Sequence, residues 1–152
     1  AKLGLVAIEA DDPALARDFM EAMAQNRADF TLTFRRLAEC AADPAADGML
    51  AALFDDPAAC HAWLARWRDR LKREPQGGGL RRDAMRAVNP AFIPRNHRIE
   101  AVIVAAVTRD DFAPFTELLD VLSVPFEDQP DRATFAEPPR DEERVLQTFC
   151  GT

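Results

Sequence analysis

Apolar side chains recur at helical spacing along most of this 152-residue sequence, and the periodicity restricts the fold more than any other feature. In the clearest stretch, residues 57–71, apolar residues fall at i, i+3, i+4, i+7 and i+11, so they share one face of an α-helix. These residues are Cys60, Trp63, Leu64, Trp67 and Leu71. Alanine, the best helix former, is abundant and β-branched residues are few. The sequence predicts an all-α fold.

Other helices are predicted on both sides of this segment. Asp-Pro pairs at 12–13 and 56–57, and the Asn-Pro pair at 89–90, are typical of a helix N-cap followed by proline in the first turn. Residues 41–55 are interpreted as a loop with one or two helical turns, and Gly77-Gly78-Gly79 as a flexible connector. Further apolar helical faces are expected at Leu15, Phe19 and Met23; at Phe30, Phe34 and Leu37; over Leu80 to Val88; at Ile99, Val102, Ile103, Ala106 and Val107; and at Phe115, Leu118, Leu119 and Leu122.

Helical periodicity stops at Pro125. The residues that follow are mostly acidic and contain several prolines, so they predict an extended tail. We therefore expect an irregular helical bundle over residues 1–124 and an extended acidic tail over 125–152. The tail could dock on the basic segment 66–86, or both could be solvated faces. Charge alone would not anchor the tail, because an exposed ion pair contributes only ~0–1 kcal/mol to stability.

Charge and composition exclude several classes of function. The net charge of −7 argues against a nucleic-acid partner, and no apolar run approaches the ~20 residues of a membrane span. The three cysteines, Cys40, Cys60 and Cys150, include no C-x-x-C pair and no histidine at ligand spacing, which argues against zinc and favours a reducing compartment. The chain has neither a signal peptide nor an initiator Met, so we expect a piece of a longer protein.

No catalytic constellation emerges from the motifs. The triple glycine lacks the preceding strand and following lysine of a phosphate loop. Each Asp-Phe pair is followed by Met, Thr or Ala and never by the glycine of a kinase metal-binding turn. His61 and His97 have no serine or cysteine at a suggestive spacing, and the paired carboxylates stand where helices should begin. We therefore predict no catalytic, cofactor-binding or metal-binding residue in this chain.

Three stretches depart from generic helix. They read MAQNRADFTLTFRRL (23–37), NPAFIPRNHRIEAVIVAAV (89–107) and FTELLDVLSVPFEDQP (115–130), and the chain ends on Phe-Cys-Gly-Thr. Together with the paired prolines at 138–139, they resemble the C-terminal region of the selenoprotein O family, in which the last cysteine is selenocysteine in animals. The sequence departs from the family pattern at Pro94, at 141–143 and at 151–152.

The resemblance implies a protein-kinase-like parent that binds ATP with Mg or Mn and transfers AMP to Ser, Thr or Tyr hydroxyls of proteins. The family's catalytic residues lie in an N-terminal part that these residues do not match, so this chain would be the C-terminal helical portion. Its implied partners are that catalytic part and protein substrates, without nucleic acid or membrane. The implied location is the cytoplasm in bacteria and the mitochondrion in eukaryotes.

Three residues receive roles under this interpretation. Arg95, with a guanidinium that can form forked hydrogen bonds, and Asn96 are expected to dock a neighbouring domain. Cys150 matches the family's redox-active position, so we expect a regulatory thiol that forms a reversible disulfide with the catalytic part. Cys40 and Cys60 are expected to be buried helix residues.

A second interpretation is a free-standing helical interaction module, which would bind a partner through the Trp63/Trp67 face or the basic segment 66–86. An intact mass near the chain's own 16.9 kDa in the source cell would favour the module. A mass several times larger would favour the longer enzyme.

Overall fold

The computed structural model describes residues 1–145, whose regular structure is entirely helical. The helices are α1 (Asp12–Gln25), α2 (Phe30–Ala42), α3 (Asp47–Ala51), α4 (Pro57–Leu71), α5 (Gly78–Arg86), α6 (Asn96–Arg109) and α7 (Ala113–Ser123). Short 3₁₀ segments occupy Pro44–Ala46, Pro130–Ala136 and Asp141–Glu143. No strand occurs within these 145 residues, and the predicted all-α class is confirmed.

The chain divides into two units, with the boundary between Pro90 and Ala91. Residues 1–90 are called unit 1, and the described residues from Ala91 onward are called unit 2. The sequence instead suggested a boundary at 124, and that proposed domain division stays a prediction. Residues just beyond 124 take part in unit 2, because the backbone N–H groups of Ala91 and Phe92 both donate to the carbonyl of Pro125, at 2.8 and 3.1 Å.

Aromatic side chains form the centre of unit 1. The Trp63 ring stacks on Phe19 with ring centroids 3.8 Å apart, and Trp67 lies 5.8 Å from Trp63. Both indole N–H groups are satisfied: Trp63 Nε1 donates to the carbonyl of Leu15, and Trp67 Nε1 donates to the carbonyl of Leu3, each at 2.9 Å. We call Trp63, Trp67 and the rings that contact them the tryptophan hub, and these buried indoles cannot provide the partner surface of the second interpretation.

The first residues of the chain lie against α4 and α5. Gly4 has a φ of +70°, in the left-handed region that glycine adopts at low cost. A Cβ at this position would stand 2.7 Å from Arg81 Cγ and 2.8 Å from Met85 Sδ. A larger residue would push the N-terminal segment off α5.

Several helix starts differ from the expected ones. Residues 90–95 are not helical, because the buried Asn89 side chain donates to the carbonyl of Lys2 at 3.1 Å instead of capping a helix. The helix α5 begins at Gly78, so two of the three connector glycines are helical. A Cβ at Gly78 would lie 2.6 Å from the carbonyl oxygen of Ala41, which explains why glycine fits this contact between α5 and the end of α2.

The basic segment 66–86 is largely neutralised by acids of unit 1. Arg68 pairs with Asp47 through two 2.6 Å contacts, and Arg86 pairs with Glu39 at 2.7 Å. In the described part of the tail, Arg140 pairs with Glu143 at 2.9 Å. Each segment therefore forms ion pairs with residues of its own part of the chain.

Unit 2 is held by a small apolar cluster. Its buried members are Ala91, Phe92 and Val121, and Leu122, Phe135 and Ala136 pack against them. The contact between α6 and α7 supports this cluster. The guanidinium of Arg98 lies 5.5 Å from the ring centroid of Phe135, and its Nη2 donates to the carbonyl of Thr134 at 2.6 Å.

The tryptophan hub generates a stability prediction. Replacing Trp67 by alanine removes a fully buried ring and leaves the Leu3 carbonyl without its donor, so Trp67→Ala should lower the free energy of unfolding by ~3–5 kcal/mol. Chemical denaturation followed by circular dichroism measures this loss. Leu80→Ala, at an exposed position of α5, is the control and should change stability by less than ~0.5 kcal/mol. A loss below ~1 kcal/mol for Trp67→Ala would contradict the hub.

Candidate functional site

The most concentrated charge cluster of unit 1 surrounds Arg70 on α4. Arg70 follows Trp63 and Trp67 at seven and three residues, so helical geometry places it on the buried face of α4. The residue is only 3% exposed. The sequence interpretation counted it among the solvated basic residues and missed its role, although its spacing from the tryptophans was a usable signal.

Carboxylates from three positions surround the Arg70 guanidinium. Arg70 Nε donates to Asp12 Oδ1 at 2.7 Å and Nη2 donates to Asp12 Oδ2 at 3.2 Å, a forked pair. Nη1 lies 2.8 Å from Glu74 Oε1 and 3.3 Å from Glu9 Oε1 in ion pairs. Nη2 also donates to the carbonyl of Ala7 at 2.8 Å. We call Arg70, Asp12, Glu74 and Glu9 the Arg70 cluster.

The cluster changes the ionisation of its members. Hydrogen bonds from Arg70 lower the pKa of Asp12 against the opposing effect of burial. Burial alone would raise the pKa of Glu74, but the backbone N–H groups of Val6 and Ala7, together with Arg70, outweigh it and lower that pKa. The Asp12 carboxylate raises the pKa of Arg70 in turn. Asp12, Glu74 and Arg70 are therefore charged at neutral pH.

The cluster joins the N-terminal segment to α4. Glu74 Oε2 accepts from the N–H groups of Val6 and Ala7 at 3.0 and 3.3 Å, and Glu9 accepts from Arg73 Nε at 2.9 Å. These carboxylates are occupied by arginine and backbone donors, so the cluster does not fit a nucleotide with its metal ion. Within residues 1–145 no group of three or more His, Cys, Asp or Glu side chains could hold a metal ion.

The predicted docking residues lie at the start of α6. Arg95 is the N-cap residue and is buried, and its carbonyl accepts from the N–H groups of Arg98 and Ile99. Asn96 is the first helical residue and is exposed. The structure brings the two together at one helix end, and their docking role stays a prediction.

His97, next to them, is a buried residue whose environment the sequence did not predict. Its side chain is 8% exposed, and neither Nδ1 nor Nε2 has a hydrogen-bond partner in the described structure. Burial lowers the pKa of His97, and the neighbouring Arg98 and Arg95 lower it further, while Glu143 acts in the opposite direction. The imidazole is therefore neutral at physiological pH.

Cys40 and Cys60 are free thiols in the core of unit 1. Burial raises the pKa of Cys40 to about 12 and that of Cys60 to about 11, and the carboxylate of Asp47 adds to both shifts. Since the thiolate is the reactive form, these two cysteines should be unreactive at neutral pH. The predicted redox residue, Cys150, lies outside the described residues.

The residues with predicted roles, the all-α fold and the sequence stretches at 23–37 and 89–126 point to one class of protein. Residues 1–123 match the family described as protein adenylyltransferase SelO, and the match ends at the last residue of α7. The chain belongs to this family, and the resemblance to the selenoprotein O family is confirmed.

Individual relatives carry the same class of name. The chain is 61% identical over 152 residues to the protein nucleotidyltransferase YdiU of Rhodopseudomonas palustris strain BisB5, covering 100% of this chain and 31% of that relative. It is 59% identical over 151 residues to the protein nucleotidyltransferase YdiU of Bradyrhizobium diazoefficiens, covering 99% of this chain and 30% of the relative. The chain thus spans about a third of the length of these relatives. No helix within residues 1–145 is long and apolar enough to cross a membrane.

The Arg70 cluster generates a stability prediction. Arg70→Met leaves the buried Glu74 carboxylate and the half-buried Asp12 carboxylate without their cation, so it should lower the free energy of unfolding by ~3–5 kcal/mol. The matched control is Lys72→Met at the C-cap of the same helix, where loss of the exposed pair with Asp69 should change stability little. Urea denaturation at neutral pH measures both. Equal losses in the two variants would show that the cluster does not hold unit 1 together.

His97 generates a pH prediction. Its folded pKa lies below 6.5, so the unfolded chain takes up a proton first, and stability falls as pH drops through 6.5 toward the folded pKa. In the parent chain, the free energy of unfolding should be lower one unit below pH 6.5 than one unit above it. His97→Gln should reduce this fall, and the control His61→Gln, at an exposed position, should not. An unchanged pH dependence in His97→Gln would contradict the prediction.

Proposed function

We propose that this chain is the C-terminal helical portion of a protein adenylyltransferase. The intact enzyme would bind ATP with Mg or Mn and join the α-phosphorus of ATP to a Ser, Thr or Tyr hydroxyl oxygen of a target protein, with pyrophosphate leaving. The residues that hold nucleotide and metal would belong to the larger part of the enzyme outside this chain. Within it, this portion has a structural and regulatory role.

The observation that carries the proposal is the similarity across the whole chain to nucleotidyltransferases about three times as long. The described residues agree with a supporting role, because the carboxylates and arginines of the Arg70 cluster bind each other. A location in the bacterial cytoplasm is part of the proposal, and the bacterial relatives favour it. The proposed partners are the catalytic part of the same protein and the protein substrates.

Regulation is assigned to Cys150. The buried thiols of Cys40 and Cys60 have raised pKa values and would compete poorly in thiol exchange, which favours Cys150 as the reactive cysteine. We propose that Cys150 and a cysteine of the catalytic part lose two electrons and two protons to a cellular disulfide and form a reversible disulfide. Arg95 and Asn96 would help to dock the two parts.

The activity is tested with radiolabelled ATP. The full-length Rhodopseudomonas palustris relative, given Mg²⁺ and a protein mixture, should transfer label from α-³²P-ATP and none from γ-³²P-ATP, since AMP transfer keeps the α-phosphate alone. The isolated 152-residue chain should transfer neither label. Transfer of the γ-label, or micromolar binding of ATP to the isolated chain in calorimetry, would contradict the proposal.

The redox role is tested by thiol trapping. In the oxidised full-length protein, mass spectrometry should find a cross-link to Cys150 that disappears on reduction and in Cys150→Ser, and AMP transfer should change on reduction. Native Cys40 and Cys60 should react with iodoacetamide only after unfolding, because their pKa values of about 12 and 11 leave little thiolate. Absence of a Cys150 cross-link, together with activity unchanged by reduction, would overturn the regulatory role.

A further inference from the structure

Unit 2 carries more exposed apolar surface than its own fold uses. On α6, Ile99, Ile103 and Val107 follow each other at four-residue intervals, and all three are exposed, Val107 by 80%. On α7, Phe115 and Leu119 repeat the spacing and are also exposed, Leu119 by 57%. We call these five residues the apolar rows of α6 and α7.

Such rows are unusual for a surface in contact with water. A helix in a globular protein normally turns its apolar stripe toward a core and its charged face outward. On α6 the buried apolar residue is the small Ala105, whereas the larger apolar side chains of the row are exposed to solvent. Apolar groups gathered at helical spacing on exposed helices mark a contact surface.

The charges beside the rows restrict what can cover them. Over residues 98–120 five acids stand against two arginines, and one of these, Arg98, is engaged by Phe135 and Thr134. The acids are Glu100, Asp110, Asp111, Glu117 and Asp120. Glu100 precedes Ile103 and Val104 by three and four residues, so it lies beside the α6 row. A second copy would bring like charges together, which opposes self-association.

We propose that the apolar rows of α6 and α7 are the docking surface for the part of the family's protein that lies outside this chain, and that this part presents an apolar patch flanked by lysine or arginine. The length of the relatives supports this occupant, since about two thirds of each lies beyond the matched residues. The proposal rests on the proposed function in one respect, the membership of this chain in a longer protein. It does not depend on AMP transfer.

The test is cysteine labelling at matched pairs of positions. Val107→Cys and Leu119→Cys report on the rows, and Thr108→Cys and Ala113→Cys, exposed on other sides of the same helices, are their controls. Each is made in the 152-residue chain carrying Cys150→Ser, and at the aligned positions of the full-length Rhodopseudomonas palustris relative with its own reactive cysteines replaced. The rate of reaction with a maleimide is measured in all eight proteins over a range of protein concentrations.

The proposal expects rapid labelling at all four positions of the isolated chain. In the full-length relative the cysteines at the two row positions should react at least roughly tenfold more slowly, because a buried thiol reacts only after local opening. The control cysteines should still react rapidly. Equal rates in the short and long proteins would overturn the proposal. Slow labelling of the row positions in the isolated chain would also overturn the proposal. If the protection increases with protein concentration, a second copy covers the rows; if it does not, the same chain covers them. Equal protection of rows and controls would show that the rows are not the contact surface. AMP transfer by the full-length relative, assayed separately, tells a failed docking surface from a failed enzymatic assignment.

Discussion

One buried cation, Arg70, joins the segments from which unit 1 is assembled. Arg70 cannot stay in the interior without carboxylates, because an unpaired buried charge costs several kcal/mol. Its partners come from the start of α1, the turn that follows α4 and the N-terminal segment, so pairing the guanidinium with them positions all three. Glu74 then holds the backbone of Val6 and Ala7. The tryptophan hub lies on the same face of α4, N-terminal to Arg70. Apolar packing and ion pairing therefore stabilise the same face of this helix.

The sequence predicted the helices well, since a 3.6-residue period of apolar side chains is a local signal that each segment carries by itself. It failed where a residue is bound by a distant partner. Asp12 looked like a helix cap but binds Arg70, 58 residues away, and Asn89 looked like another cap but binds the Lys2 carbonyl. Of the candidate site, sequence singled out Arg95 and Asn96 as docking residues, but the burial of His97 is a tertiary property that no local pattern shows.

The cysteines illustrate how burial divides chemistry between similar groups. Cys40 and Cys60 belong to the helices α2 and α4 that form the core, and the low polarity there, with Asp47 nearby, suppresses their thiolates. A thiol that is meant to react needs the opposite surroundings, with access to solvent and stabilisation of the anion. The redox role proposed for Cys150 is therefore compatible with the suppressed reactivity of Cys40 and Cys60.

The small cluster of Phe92 and Val121 has a consequence for the way the chain opens. Unit 1 has an aromatic core with forked ion pairs, while unit 2 buries few large side chains of its own. Free energies of local opening follow such differences, so the two units should exchange their amide hydrogens as separate cooperative blocks, with α6 and α7 opening at a lower free energy than α4. A protein with this hierarchy can loosen one end while the other keeps its native structure.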